Sequence, residues 1–94
     1  MKGNAIYKVP DGKLLRLSLE LSGDKISAIQ IRGDFFMHPE EGVEKIEQAL
    51  IGVAVDKDIT KAVDKAVAEN SIEMFGLDSK AVFEAVKMAA GNAK

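Results

Sequence analysis

Cysteine and tryptophan are absent from the 94 residues, histidine and tyrosine occur once each, and proline twice. Without a thiol the chain can hold no disulfide, no thiolate zinc or iron–sulfur site and no cysteine nucleophile. A Ser/His/Asp set has only His38 to draw on, and that residue stands at the entrance of a predicted helix. Asp34, Glu40 and Glu41 lie near it, but in no recognised metal-ligand spacing. The glycines form neither GxGxxG nor a P-loop, so nothing here cradles a nucleotide unaided. Basic residues are not in excess: 13 Lys and Arg face 15 Asp and Glu, net -2, which argues against neutralisation of a nucleic-acid backbone. The longest uncharged, mostly apolar run, Ala49–Val55, falls far short of the roughly 20 residues of a membrane-spanning helix. Residues 1–15 lack the apolar core of a secretory leader. These absences point to one small cytoplasmic domain over residues 1–94, with no membrane or nucleic-acid partner. A chain of this size buries only about 60–65% of its unfolded surface, so a partner surface would help it.

What is present is a change of period. From Asn4 to Phe36 apolar and polar residues alternate, interrupted by Pro10-Asp11-Gly12 and Gly23-Asp24-Lys25, which predicts strands over 4–9, 14–21 and 26–36 in an antiparallel meander. A three-residue loop at Pro10–Gly12 sets Tyr7 against Leu15 and Ala5 against Leu17, whereas a two-residue loop would split the apolar face. The second loop pairs Leu19 with Ile29 and Leu17 with Ile31. The inner face then carries Ala5, Tyr7, Val9, Leu15, Leu17, Leu19, Leu21, Ile29, Ile31 and Phe35. Full burial of Phe35 predicts a loss of roughly 3–5 kcal/mol on truncation to alanine.

Beyond His38 the period becomes helical, with helices predicted over 39–51, 59–69 and 79–90. Pro39 suits a first helical position and Glu40 and Glu41 a first turn. Gly52 suits a C-terminal cap, Asp58 and Asp78 suit N-caps, and Leu77 with Val82 occupy the positions of a hydrophobic staple. Val53–Lys57 reads as a plain link. Val82, Phe83, Val86 and Ala90 are expected inward, residues 91–94 are expected to fray, and Glu40, Glu41, Glu44 and Glu47 read as a solvated helix face. The expected fold is α+β in two layers, a three-stranded meander followed by about three helices on one face.

Charge is uneven, with residues 1–38 carrying six basic and four acidic residues and residues 39–94 seven and eleven. On the outer sheet face Arg16 and Arg32 are expected to oppose each other, an arrangement that costs energy unless an acid or anion intervenes; Asp34, diagonal to Arg16, is the expected answer. Adjacent Phe35 and Phe36 must point to opposite faces. Phe36 either joins Ile6 and Leu14 in a small apolar patch rimmed by Lys8, Arg16 and Arg32, or tucks under the first helix with Met37. Gly33 is expected to leave room for a ring beside Leu15 and Tyr7, or to mark a bulge.

The runs Lys8-Val9-Pro10-Asp11-Gly12-Lys13-Leu14-Leu15, Leu19-Glu20-Leu21 to Lys25-Ile26, Ile31-Arg32-Gly33-Asp34-Phe35-Phe36, Pro39-Glu40-Glu41, and Ile46-Glu47 to Leu50-Ile51-Gly52 resemble the small accessory domain of lipoate-protein ligases. The resemblance spans about residues 8–90. It implies a non-catalytic subunit of a bipartite ligase that binds the catalytic chain through Arg16, Arg32, Gly33, Asp34 and Phe36 and the adjacent sheet face. It implies that lipoate and ATP, with Mg, bind in that partner, which forms lipoyl-AMP and then lipoylates a lysine of 2-oxoacid dehydrogenase subunits or the glycine cleavage H protein. The chain alone is expected to hold no cofactor or metal. The family's fold resembles that of NifU and SufE iron–sulfur scaffolds, whose cysteine chemistry this sequence cannot share. Two other readings stand beside it: an interaction module unrelated to lipoate, and a small enzyme using His38 with Asp34 and Glu40.

Overall fold

Period-two alternation yields a sheet with one apolar side. The computed structural model describes residues 1–10 and 12–94. In it β1 (Lys2–Lys8), β2 (Leu14–Ser22) and β3 (Lys25–Gly33) form an antiparallel sheet in that order. Ala5 pairs with Leu17 and Tyr7 with Leu15. Leu17 pairs with Ile31 and Leu19 with Ile29. This is the register the hydrophobic pattern requires. At the first turn the Val9 amide donates to the Lys13 carbonyl at 3.0 Å, closing a three-residue connection; its central Asp11 lies outside the described residues.

The alternation breaks once within the sheet. Glu20 pairs with Ala28 but Leu21 with Ile26, so Ser27 is the extra residue of a β-bulge. The parity shift lets both Ile26 and Ile29 face inward and be buried, and leaves Leu21, expected inside, only half-buried. The Ser27 hydroxyl donates to the Glu20 carbonyl at 3.2 Å.

The apolar stripes of three helices cover the inner face: α1 (Gly42–Leu50), α2 (Thr60–Glu69) and α3 (Ser79–Gly91). α3 packs on β1 and β2, α1 on β3, and α2 against both other helices. Leu15, Leu17 and Ile31 from the sheet share one core with Ile46, Leu50, Ile59, Val63, Val82 and Val86. The architecture is the expected two-layer α+β arrangement.

Several local readings are corrected. The first helix begins at Gly42 rather than Pro39, because residues 39–41 form a turn in which the Gly42 amide donates to the Pro39 carbonyl at 2.9 Å. Glu47 is not part of a solvated face: it is half-buried, and its Oε2 accepts the Ile31 amide at 2.8 Å along the outer edge of β3. The Val53–Lys57 link also serves that edge. The Ile26 amide donates to the Val53 carbonyl at 3.0 Å, the Gly52 amide to the Ile26 carbonyl at 2.7 Å, and the Val55 amide to the Asp24 carbonyl at 2.8 Å. In α3 the buried row is Ala81, Val82, Ala85, Val86 and Ala89, while Phe83 and Ala90 are half-buried and Phe83 lies under the Lys87 ammonium. The C-terminal residues do not fray: Lys2 and Lys94 exchange backbone hydrogen bonds of 3.1 and 3.0 Å.

Of the expected N-caps only Asp78 is one: the N-cap of α2 is Ile59, and Asp58 stands one residue before it, where it braces the turn into the helix. Asp58 Oδ1 accepts the Thr60 amide at 2.9 Å and also takes the Thr60 hydroxyl hydrogen. These two bonds hold its carboxyl below the usual carboxylate range. Asp78 Oδ1 accepts the Ala81 amide at 2.8 Å, with Leu77 and Val82 both buried around it. Asp78→Ala should remove about 1 kcal/mol of stability. A thermal melt should register that as a fall of roughly 4–8 °C.

Candidate functional site

The helices occupy one face of the sheet, and strand alternation leaves the other to solvent. Along it β1 presents Asn4, Ile6 and Lys8, β2 presents Arg16, Ser18 and Glu20, and β3 presents Gln30 and Arg32, all exposed. The face is divided in charge. At one end Lys2 and Glu20 form an ion pair at 3.7 Å, beside a shallow trough lined by Asn4, Ser18, Ala28 and Gln30. At the other, Ile6, Arg16 and Arg32 form a single row across the three strands, with Lys8 one row further along opposite Leu14.

Arg16 and Arg32 are thus direct cross-strand partners, as the register predicts. Like charges so placed repel by a few tenths of a kcal/mol or more. Among the described residues the ion pairs are Lys2–Glu20, Lys65–Glu69 and Glu84–Lys87, and neither arginine has a carboxylate within 4.0 Å. Asp34 does not fill that role. It sits in the turn after β3, where its amide donates to the Leu14 carbonyl at 3.1 Å.

The turn itself follows from Gly33. Its φ of +152° is one L side chains rarely adopt, and a Cβ there would lie 2.2 Å from the Leu14 carbonyl oxygen. Close approach of two backbones, rather than space for a ring, is what demands glycine. Past it the chain leaves the sheet, so the third strand does not run to Phe36. Instead β4 (Phe36–His38) pairs antiparallel with β5 (Glu73–Phe75), an element the sequence reading misses. Met37 is buried between these outward residues and Phe35 is half-buried, so truncating Phe35 should cost less than a fully buried ring would.

Phe36 points outward at 56% exposure, and its ring partner is Phe75, 49% exposed, with centroids 5.9 Å apart at 41°. The alternative in which Phe36 tucks under the first helix with Met37 is corrected, because Met37 is buried while the Phe36 ring stays outside against Phe75. Arg16, Arg32, Gly33 and Asp34 therefore gather at one end of the β2–β3 ladder, and Phe36 stands beyond the turn on the second, smaller sheet. Phe75 was hidden in the sequence because three alternating residues give too little periodicity, and their partners lie far away along the chain.

His38 is exposed opposite Glu73. Among the described residues no three His, Asp or Glu side chains converge as metal ligands, and no buried side-chain polar atom lacks a partner. Among the described residues no helix is long and apolar enough to cross a membrane.

Three comparisons bear on this site. Residues 8–85 match the family described as the bacterial lipoate protein ligase C-terminus. Lipoate-protein ligase A subunit 2 of Thermoplasma acidophilum is 43% identical over 44 residues, a match spanning 47% of this chain and 47%, about half, of that protein. A solved chain from an archaeal lipoylation system of the same organism, a bi-partite lipoate protein ligase and its E2 lipoyl domain, superposes with a TM-score of 0.79 at 27% identity, covering 92% of this chain and 94% of that one. With the matched residues running from the end of β1 into α3, the chain belongs to the family of lipoate protein ligase C-terminal domains.

Proposed function

We propose that this chain is the non-catalytic accessory subunit of a bipartite lipoate-protein ligase. The observation that carries the reading is the likeness, over 92% of this chain and 94% of the other, to a chain from an archaeal lipoylation system with a bi-partite ligase, taken together with the family match over residues 8–85. The absence of any glycine-rich phosphate motif agrees with an adenylating site built by another chain. In that partner, with Mg, the lipoate carboxylate attacks the α-phosphorus of ATP and pyrophosphate leaves, giving lipoyl-AMP. A lysine amine of the acceptor protein then takes the lipoyl group and AMP leaves. The accessory chain docks through Arg16, Arg32, Gly33, Asp34 and Phe36, orders the nucleotide-binding loop of the catalytic chain and keeps water from the mixed anhydride. Acceptors are 2-oxoacid dehydrogenase subunits or the glycine cleavage H protein.

The test is lipoyl-AMP formation from lipoate and ATP by the catalytic chain of the same organism, with and without this protein. Activity that needs both chains is expected. Arg16→Glu and Phe36→Ala should each weaken assembly about tenfold or more while leaving the melting curve near that of the parent. A catalytic chain that adenylates lipoate equally well alone, and forms no complex, would leave an interaction module unrelated to lipoate.

A further inference from the structure

The two outer edges of the three-stranded sheet are treated differently. Along β3 the edge is interrupted at two points, where Ile26 bonds Gly52 and Val53 and the Ile31 amide bonds Glu47, and among the described residues only the short stretch around Ile29 between them has no partner. Along β1 the phase of the ladder follows from its ends. The Leu21 amide donates to the Met1 carbonyl at 2.7 Å and the Val9 amide to the Lys13 carbonyl at 3.0 Å, so the odd residues of β1 bond β2. The even residues turn their amides and carbonyls to the outside. Lys2 is taken by Lys94, and the Asn4 carbonyl by the Asn92 side-chain amide at 3.1 Å. Beyond that point, no hydrogen bond among the described residues reaches the outward backbone groups of Ile6 and Lys8. Ile6 is also 63% exposed.

We propose that this open stretch of β1 receives an extended acidic segment of the catalytic chain, which adds a fourth strand to the sheet; the proposal rests on the accessory-subunit reading above. Main-chain bonds to Ile6 and Lys8 supply the pairing, and side chains on alternate positions of the added strand lie over the outer face. The charges on that face choose the occupant. Arg16 is the direct partner of exposed Ile6, Arg32 stands beyond it on β3 and Lys8 one row along, and none of the three has a carboxylate within 4.0 Å among the described residues. A second copy of this chain paired about Ile6 would bring two such basic clusters onto one continuous face and would need the Asn4 carbonyl that Asn92 already holds. An acidic, partly apolar strand meets neither obstacle and relieves the Arg16–Arg32 repulsion.

Amide hydrogen exchange of this protein, alone and with the catalytic chain, tests the assignment directly. Ile6 and Lys8 amides are expected to slow at least tenfold on binding. Ile6→Pro deletes an amide that β2 does not use, at an edge position where proline is tolerated; it should melt close to the parent yet bind the catalytic chain about tenfold or more weakly. A complex that forms while both amides exchange as freely as before overturns strand addition and leaves the accessory role standing. Protection of the same amides in this protein alone, with a dimer in sedimentation, overturns the choice of occupant. If no complex forms in any mixture, the accessory reading falls and this proposal with it.

Discussion

Gly3→Ala should be the most damaging single methyl in the protein, lowering stability by about 3 kcal/mol. β1 and α3 meet here without intervening side chains: a Cβ on Gly3 would lie 1.9 Å from the Ala89 carbonyl oxygen and 3.1 Å from the Ala93 Cα. Neither neighbour is the end of a flexible side chain, so α3 itself must move, and with it the buried row Val82, Ala85, Val86 and Ala89. For a domain of this length the melting midpoint should fall by roughly 10–20 °C. A variant melting within a few degrees of the parent would mean that α3 can lift from β1 at little cost.

Leu17→Ala should cost at least as much. Leu17 lies on the central strand with Ala5 on one side and Ile31 on the other, 2% exposed beneath the helices. Removing its isobutyl group forfeits transfer energy and leaves a cavity the rigid sheet cannot close, about 3–4 kcal/mol together. Urea unfolding should show a lower midpoint with an unchanged slope. Leu14→Ala, half-buried at the edge of the same strand, should cost distinctly less.

The contrast between these sites explains which parts of the fold could be read from the residues alone. Register was legible because a one-residue slip would move Leu15, Leu17 and Leu19 to solvent, and turn chemistry admitted only one alternative. The Arg16–Arg32 juxtaposition followed from the same counting, as did the Asp78 cap, whose partners lie three residues away. What escaped depended on distant partners or on broken parity. Ile26 is inward only because Ser27 is an extra residue, which local alternation cannot announce. β4 and β5 are three residues each, and their pairing is decided by the path of α1 and α2 between them. Glu47 looked solvated because its bond goes to a backbone amide on another element, and backbone acceptors and donors carry no sequence signal. The same holds for Gly3, whose constraint is set by α3.

The interrupted edge of β3 also governs how large an assembly can become. Sheets that stack edge to edge into open-ended ladders need two receptive borders on every copy. Here the Gly52–Val55 stretch and Glu47 interrupt one border at Ile26 and Ile31, so a continuous added strand meets an obstacle there and pairing propagates from the other border only. Each molecule then acts as a chain terminator: a strand laid on β1 ends the growth of the sheet, and the stoichiometry of such a complex is limited to one added strand per chain rather than a polymer.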